Sequence, residues 1–294
     1  MDFSFSEEQE MLREQARSLL SQRLPHERVV ELSESDNGFD EGVWKEIAGL
    51  GWTGLSLPEG QGGAGMGFLD EAVLFEETGY GLFVGPFFAT VGLALPALAR
   101  HDELAAGTAA GDVRATLAWA ETDRPYLDSS EWDTRAEGAD GDWKLSGHKE
   151  LVVDLGLVTH VVVVASTPQG AGLWAVATDG EGVTVEVQST MDAGRRLGTL
   201  QLDRAPAALL AEPAVATELL ADLRRRALAA LALEGVGVAQ RVLEMAIDYA
   251  KNRNQFDKPI GTYQAVSHQI ADTYMETELA RSLAYWAAWC VAED

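Results

Sequence analysis

The spacing of apolar residues along the chain changes twice, from a helical period to a strand-like one and back. Near the start, apolar residues between positions 12 and 20 recur at i, i+4, i+7 and i+8, the spacing of one helix face. Ser6 followed by Gln9 forms the capping-box pattern that begins a helix, and Pro25 marks its end. The same period predicts three more helices, over about 41–50, 68–78 and 86–100.

From about residue 113, short apolar runs separated by Gly and Asp clusters are typical of strands joined by hairpin turns. The predicted strands cover residues 114–120, 143–145, 150–154, 159–166, 172–177, 183–187 and 198–203. The run 161–164 is four valines, so we expect a central strand buried on both faces. Together these runs predict a small antiparallel β domain, a barrel or a sandwich.

The helical period returns at about Pro213 and is interrupted at 252–263, where Pro259 and Gly261 stand. A last helix is predicted from Gln264 onward. The fold class is therefore α+β: an N-terminal helical domain over 1–112, a central β domain over 113–211 and a C-terminal helical bundle domain over 212–294.

Composition narrows the function classes. Asp and Glu number 47 against 22 Lys and Arg, a formal charge of −25, which disfavours binding to nucleic acid. The one cysteine, Cys290, forms no internal disulfide, and the five histidines lack metal-ligand spacing, so no metal site is predicted. No stretch of 18 apolar residues predicts a membrane span, and the first residues do not resemble a signal peptide. We expect a cytoplasmic protein.

A glycine-rich segment over residues 58–67 invites a phosphate-binding interpretation. A P-loop ends in Gly-Lys-Ser/Thr, and a dinucleotide fingerprint follows a strand in a βαβ unit. Neither context is present here, so the segment is predicted to be a structural loop.

The interruption between the last two helices carries the most informative motif. RNQFDKPIGTYQ over residues 253–264 resembles the Arg-x-Gln-Phe-Gly-x-Pro-Ile-Gly-x-Phe-Gln pattern of the acyl-CoA dehydrogenase family. FSEEQ at 5–9, LGWTGLSLPE at 50–59 with GGAG at 62–65, and WKLSGHK at 143–149 resemble other family motifs in the same order. The resemblance spans nearly the whole chain.

This resemblance implies an FAD enzyme that oxidises the Cα–Cβ bond of an acyl-CoA thioester and passes electrons to an electron-transfer acceptor. In the family a carboxylate takes the α proton and the flavin takes a hydride from Cβ. FAD lies between the β domain and the helices, at a dimer interface.

Carried over by position, Arg253 binds the FAD pyrophosphate, because a planar guanidinium matches phosphate oxygens. Phe256 and Gln264 contact the ADP half, and Gln255 is adjacent. In the family these residues reach a flavin held mainly by the neighbouring subunit. Asp257 replaces the usual glycine, which is unfavourable beside a pyrophosphate unless the carboxylate points away or pairs with Lys258.

The flavin-ring side departs from the family pattern. Ala120 stands where a Thr-Glu-Pro motif places its threonine, Val153 stands at a second threonine position, and the family's Gly-Ser-Asp segment is absent. The base position on the helix before the motif falls on Ala227, which cannot accept a proton. Glu234 lies two turns later, and either a structural hydrogen-bonded role or a base role is open to it.

The chain keeps the ADP-side residues but lacks the ring-side hydroxyls and the base. This combination resembles one branch of the family, the heteromeric α2β2 enzymes encoded as unlike pairs in steroid-degrading actinobacteria. The leading hypothesis is a partner subunit that contacts FAD seated on a second acyl-CoA dehydrogenase-like chain, with bulky steroid-like acyl-CoA substrates. Two alternatives stay open: an autonomous homo-oligomeric dehydrogenase with its base beyond residue 294, and a non-enzymatic scaffold. The family's helical domain continues further, so the C-terminal domain is expected to be incomplete.

Overall fold

The capping box at Ser6 opens the first helix as the sequence predicts. In the computed structural model, which describes residues 5–36, 38–122, 132–139 and 141–293, the Gln9 N–H donates to Ser6 Oγ at 3.2 Å. The Ser6 N–H in turn donates to Gln9 Oε1 at 3.1 Å. The described helices before the β region are α1 (Glu7–Arg23), α2 (His26–Glu34), α3 (Glu41–Gly49), α4 (Phe68–Tyr80), α5 (Leu95–Leu98) and α6 (Asp102–Ala109).

Helix α2 starts at His26, directly after Pro25, whereas the sequence predicts no second helix before about residue 41. The helix expected over 86–100 is interrupted: Phe88–Ala94 is a π-helix that leads into the short α5. Thr90 in this segment is fully buried and exchanges hydrogen bonds of 3.1 Å with the N–H and carbonyl of Ala115. The π-helix, whose turns are wider than those of an α-helix, is thus hydrogen-bonded through Thr90 to the start of the first strand.

The β region contains seven strands within the described residues. They are β1 (Ala115–Ala118), β2 (Arg135–Ala139), β3 (Asp142–Val153), β4 (His160–Thr167), β5 (Gly170–Ala177), β6 (Val183–Val187) and β7 (Leu197–Ala211). Strands β4, β2, β3, β7 and β5 pair in that order, and β5 pairs back with β4, which closes a ring. β1 lies beside β4 and β6 beside β7.

The strand pattern predicts most of this sheet and misses three features. β2 is missed, and the runs at 143–145 and 150–154 belong to one strand, β3. The wholly antiparallel domain is a wrong prediction, since β1 and β2 pair with β4 in parallel. The intervening strands provide the long crossover that parallel neighbours need. The valines 161–164 are fully buried, as expected for a central strand.

The remaining elements are α7 (Pro213–Asn252), the two-residue strands β8 (Asn254–Gln255) and β9 (Lys258–Pro259), and α8 (Gln264–Glu293). The α+β class is confirmed. By compactness the chain forms two units that do not follow sequence order: 1–25, 68–83 and 229–294 form the first unit, and 26–67 and 84–228 form the second. The three consecutive domains therefore stay a prediction.

In the first unit, buried acids on α4 hold helices together. Glu77 accepts both N–H groups of a bidentate Arg17, each at 2.8 Å. Burial raises the pKa of Glu77, and Arg17 offsets only part of that rise. Glu76 accepts from Arg281 at 2.9 Å and from the Tyr285 hydroxyl at 2.7 Å, which ties α4 to α8.

In the second unit, the glycine-rich segment is a structural loop. The N–H groups of Ala64, Gly65 and Met66 donate to carbonyls of residues 54–57 at 2.9–3.2 Å. A Cβ at Gly63 would lie 2.1 Å from the Leu57 carbonyl oxygen, so only glycine fits there. These amides are used within the loop, which agrees with the structural interpretation.

Candidate functional site

The motif at 253–264 forms a short ribbon between α7 and α8. Asn254 pairs with Pro259 and Gln255 with Lys258, which leaves Phe256 and Asp257 as a two-residue turn. Their φ angles are 52° and 61°, and a turn with two positive φ values is the type I′ geometry of tight hairpins. The Arg253 N–H donates to the Tyr249 carbonyl at 2.8 Å, so the ribbon continues directly from α7.

The four residues predicted to contact FAD lie together on this ribbon and at the start of α8. Arg253, Gln255, Phe256 and Gln264 are all exposed, and 87% of Phe256 is open to solvent. The Phe256 and Tyr263 rings are nearly perpendicular with their centroids 6.4 Å apart, and the Tyr263 hydroxyl donates to the Gln255 carbonyl at 3.1 Å. Within the described residues, the Arg253 guanidinium forms no ion pair. Large exposed side chains on a hydrogen-bonded ribbon fit an external ligand.

The backbone conformation at position 257 explains why aspartate can replace the family's usual glycine there. The family's usual glycine suits the positive φ at this position, and Asp is one of the few other residues that adopts it. Lys258 does not pair with Asp257 in the described structure, since its ammonium lies 4.4 Å from the centre of the Tyr263 ring. The carboxylate therefore stays as an exposed negative charge at the tip of the turn.

The two ring-side positions carry no hydrogen-bonding side chain. Ala120 is buried just after β1, and its carbonyl accepts the Glu150 N–H at 2.9 Å. Val153 is the last residue of β3, in register with Leu197 of β7. Positions 123–125, which include the expected proline of the Thr-Glu-Pro motif, lie outside the described residues. The side chains on this side do not fit the flavin ring as a threonine pair would.

Next to Ala120 lies a buried ion pair that sequence reasoning missed. Lys149 Nζ donates to Glu121 Oε1 at 2.7 Å, and both side chains are almost fully buried. Glu121 also accepts from the Asp133 N–H at 2.6 Å and from the N–H and hydroxyl of Thr134 at 3.0 and 2.7 Å. Burial alone would raise the pKa of Glu121, but these donors outweigh it and lower the pKa to about 2. The sequence signal for this pair would have been Lys149, a lysine at an inward-facing position of the strand β3.

The base candidates are on α7. Ala227 is half-buried and has no proton acceptor. Glu234 is also half-buried, and its carbonyl oxygen packs so closely on Gly79 of α4 that a Cβ at Gly79 would lie 2.1 Å away. A base role for Glu234 stays a prediction. Nearby, Arg226 donates to Ser56 Oγ at 3.3 Å, a packing contact.

Two predicted absences can be examined only over the described residues. There, no group of three or more His, Cys, Asp or Glu side chains is arranged to hold a metal ion. No helix in the same part of the chain is long and apolar enough to cross a membrane.

Comparison with known proteins identifies the family. The acyl-CoA dehydrogenase N-terminal domain matches residues 6–103, and the acyl-CoA dehydrogenase C-terminal domain matches residues 214–294. Acyl-CoA dehydrogenase FadE27 of Mycobacterium tuberculosis is 30% identical over all of this chain and 78% of that protein.

Two similar solved structures are two-component assemblies by name. A variant of the Tcur3481–Tcur3483 steroid ACAD is 35% identical with a TM-score of 0.85, over 98% of this chain and 78% of that chain. The ChsE4–ChsE5 complex of Mycobacterium tuberculosis is 29% identical with a TM-score of 0.87, over 100% and 80%. With both domains matched and a relative 30% identical over all of this chain, this chain belongs to the acyl-CoA dehydrogenase family, the FAD-dependent oxidoreductases of acyl-CoA thioesters.

Proposed function

We propose that this chain is one subunit of a heteromeric acyl-CoA dehydrogenase. It presents Arg253, Gln255, Phe256 and Gln264 to the ADP half of FAD seated mainly on a second acyl-CoA dehydrogenase-like subunit. That second subunit provides the flavin-ring contacts and the catalytic base. The reaction is α,β-dehydrogenation: the base takes the α proton, and FAD, when bound, would take the Cβ hydrogen as a hydride and pass its two electrons to an electron-transfer acceptor.

One contrast within the chain carries this proposal. The four ADP-side residues are present, exposed and grouped on one ribbon, whereas the three positions that would serve the chain's own flavin ring and base are aliphatic: Ala120, Val153 and Ala227. A chain that lost flavin binding altogether would have no reason to keep an 87% exposed Phe256 on a strained turn. A chain with its own complete flavin site would keep the two threonine hydroxyls at positions 120 and 153 and a carboxylate base at position 227.

The roles of the four residues follow from their chemistry. The Arg253 guanidinium has five donors in a planar fork that can span two phosphate oxygens of a pyrophosphate. Phe256 offers an aromatic face to the ADP half, and the amides of Gln255 and Gln264 add donors and acceptors. Bound FAD supplies the hydride acceptor of the reaction. The residues here fit the ADP half of that cofactor and do not fit its ring half.

Steroid-like acyl-CoA is the substrate class we favour. It is supported by the similarity to the steroid ACAD of the Tcur3481–Tcur3483 pair, at 35% identity over 98% of this chain.

The test is to purify this chain alone and together with any acyl-CoA dehydrogenase-like chain encoded by a neighbouring gene, and to measure flavin absorbance per chain. We expect a colourless lone chain and a yellow complex with fewer flavins than subunits. Arg253→Ala should release FAD from the complex, whereas Lys251→Ala, which removes the same charge from an exposed site nearby, should not.

Other outcomes would overturn the proposal. A yellow, active homo-oligomer of this chain alone would support an autonomous dehydrogenase. Absence of FAD in every pairing would support a non-enzymatic scaffold.

A further inference from the structure

One aromatic side chain, that of Tyr263, contacts the ribbon of residues 253–259 at three points. Its hydroxyl donates to the Gln255 carbonyl at 3.1 Å. Its ring packs edge-to-face with the ring of Phe256, at the ordinary spacing of such pairs. The Lys258 ammonium lies 4.4 Å from the centre of the same ring, within the range of a cation–π interaction. Tyr263 thus contacts one residue of the turn and both residues that flank it.

The main chain of Tyr263 is itself fixed by the start of α8. Its N–H donates to the Ile260 carbonyl at 3.1 Å, and its carbonyl accepts the N–H groups of Val266 and Ser267 at 2.9 and 3.0 Å. The tip of the ribbon is therefore tied to the first turn of a 30-residue helix. Gln264, the fourth ADP-side residue, follows directly in the chain, so Tyr263 joins both parts of the proposed FAD contact.

The turn depends on such support because both of its residues have a backbone conformation that side chains disfavour. Phe256 and Asp257 have φ angles of 52° and 61°. Turns of this type favour Asn-Gly or Asp-Gly, since glycine adopts a positive φ without steric cost. For a bulky residue such as phenylalanine a positive φ is an outlier, and outliers persist only where surrounding contacts fix them. The three contacts of Tyr263 are of that kind.

Fixing the turn matters for binding because in this conformation the Phe256 ring is open to solvent and available to a ligand. If the ribbon sampled other conformations, the apparent affinity for a ligand would fall by the fraction of chains in the competent one. Contacts made wholly within this chain, like those of Tyr263, order the ribbon before the ligand arrives. Less ordering then remains to be done on binding, which raises the affinity.

Resting on the proposed function, we propose that Tyr263 is a positioning residue for the ADP half of FAD. Its hydroxyl and ring hold the turn at 256–257 in the conformation that presents Phe256 to the cofactor. Tyr263 acts through Gln255, Phe256 and Lys258 and needs no contact with FAD of its own. Because the support is built into this chain, it is present before any partner or cofactor binds.

Hydrogen exchange of the full-length lone chain, followed by mass spectrometry, tests the support without cofactor. Tyr263→Phe removes the hydroxyl and keeps the ring. It should speed exchange of the ribbon amides severalfold, including the Ile260 N–H that donates to the Arg253 carbonyl, and leave other segments unchanged. The matched control Tyr274→Phe removes an exposed hydroxyl from the same helix and should change nothing. Unchanged exchange of the ribbon in Tyr263→Phe would overturn the proposal.

The second measurement is FAD affinity, obtained by titrating FAD into the flavin-free form of whichever assembly holds it, an unlike pair or a homo-oligomer. Tyr263→Phe should weaken binding about 2- to 10-fold, the effect of one hydrogen bond, with the mass of the assembly unchanged in light scattering. Tyr263→Leu, which also removes the ring, should weaken it further.

A double variant shows whether the effect passes through the turn. In an Asp257→Gly background the loss caused by Tyr263→Phe should shrink, because glycine adopts the positive φ without support. An equal loss in both backgrounds would contradict a role in holding the turn.

The outcomes separate this inference from the proposed function. If Tyr263→Phe binds FAD as tightly as the wild type while Arg253→Ala releases it, the positioning role is wrong and the proposed cofactor contact stands. If Arg253→Ala leaves FAD affinity unchanged, the proposed cofactor contact is wrong, whatever Tyr263→Phe does to hydrogen exchange.

Discussion

The buried carboxylate of Glu121 should make a measurable, pH-dependent contribution to folding stability. Its pKa falls from the usual 4.5 to about 2 in the folded chain, because four donated hydrogen bonds outweigh the cost of burial. A difference of this size corresponds to about 3 kcal/mol of unfolding free energy. Since the folded pKa is the lower one, the stabilisation is complete above about pH 5 and is lost as pH falls toward 2.

Glu121→Gln is the informative variant. The amide keeps the shape, but its NH2 group faces the Lys149 ammonium or the Asp133 N–H, and the carboxylate charge that lies 2.7 Å from Lys149 Nζ is removed. Removing one partner of a buried pair costs about 3–5 kcal/mol, so we expect a loss of that size at pH 7. By pH 3 about 2 kcal/mol of the wild-type advantage should be gone. Urea unfolding followed by tryptophan fluorescence at several pH values measures both.

A matched control lies on a neighbouring strand. Glu137 on β2 is 3.8 Å from Arg204 with both side chains largely exposed, so Glu137→Gln should cost less than about 0.5 kcal/mol. The double variant Glu121→Leu, Lys149→Met removes both charges together and should recover most of the lost stability. A loss below about 1 kcal/mol in Glu121→Gln, or a difference from wild type that stays constant down to pH 3, would refute the reasoning.

Three further predictions follow from single contacts. Gly237→Ala should destabilise the chain by more than about 2 kcal/mol in a thermal melt, because its methyl would overlap the main chain of α4, whereas Gly235→Ala should stabilise it by about 0.5–1 kcal/mol. Asp257→Gly should tighten FAD binding to the complex on the order of threefold in a fluorescence titration, since it relieves a positive φ and removes a negative charge, and high salt should shrink the gain. Thr90→Val should cost about 1–3 kcal/mol in urea unfolding, because it leaves the buried Ala115 N–H without its acceptor, and Thr90→Ser should cost less.

The sequence predicts well those elements that depend on residues close together in the chain. The capping box that starts α1 involves Ser6 and Gln9, three residues apart, and four consecutive valines are enough to predict a strand buried on both faces. Features that depend on distant partners were not predictable in this way. The π-helix at Phe88–Ala94 meets β1 through Thr90 and Ala115, which are 25 residues apart. Strand β2 is short and mostly exposed, so its sequence has no alternating apolar signal.

The candidate site shows the same division. The ribbon at 253–264 could be located because a whole motif is matched, and the positive φ at Asp257 explains why the family places glycine there. The Glu121–Lys149 pair joins residues 28 apart across the β region, so its burial appears only once the strands are assembled. The open face at Gly235 could not be told from the packed face at Gly237 by sequence, since both glycines lie in one apolar run.

The order of the segments in the first compact unit governs when it can form during synthesis. That unit joins residues 1–25 and 68–83 to 229–294, so its first helix is made long before its last. At about 5–20 residues per second, the wait between residue 25 and residue 229 is on the order of 10–40 s. During that interval Glu76 of α4 lacks both Arg281 and Tyr285. The second unit, which ends at residue 228, can therefore close first, and the buried Glu76 carboxylate of α4 gains its α8 partners only late in synthesis.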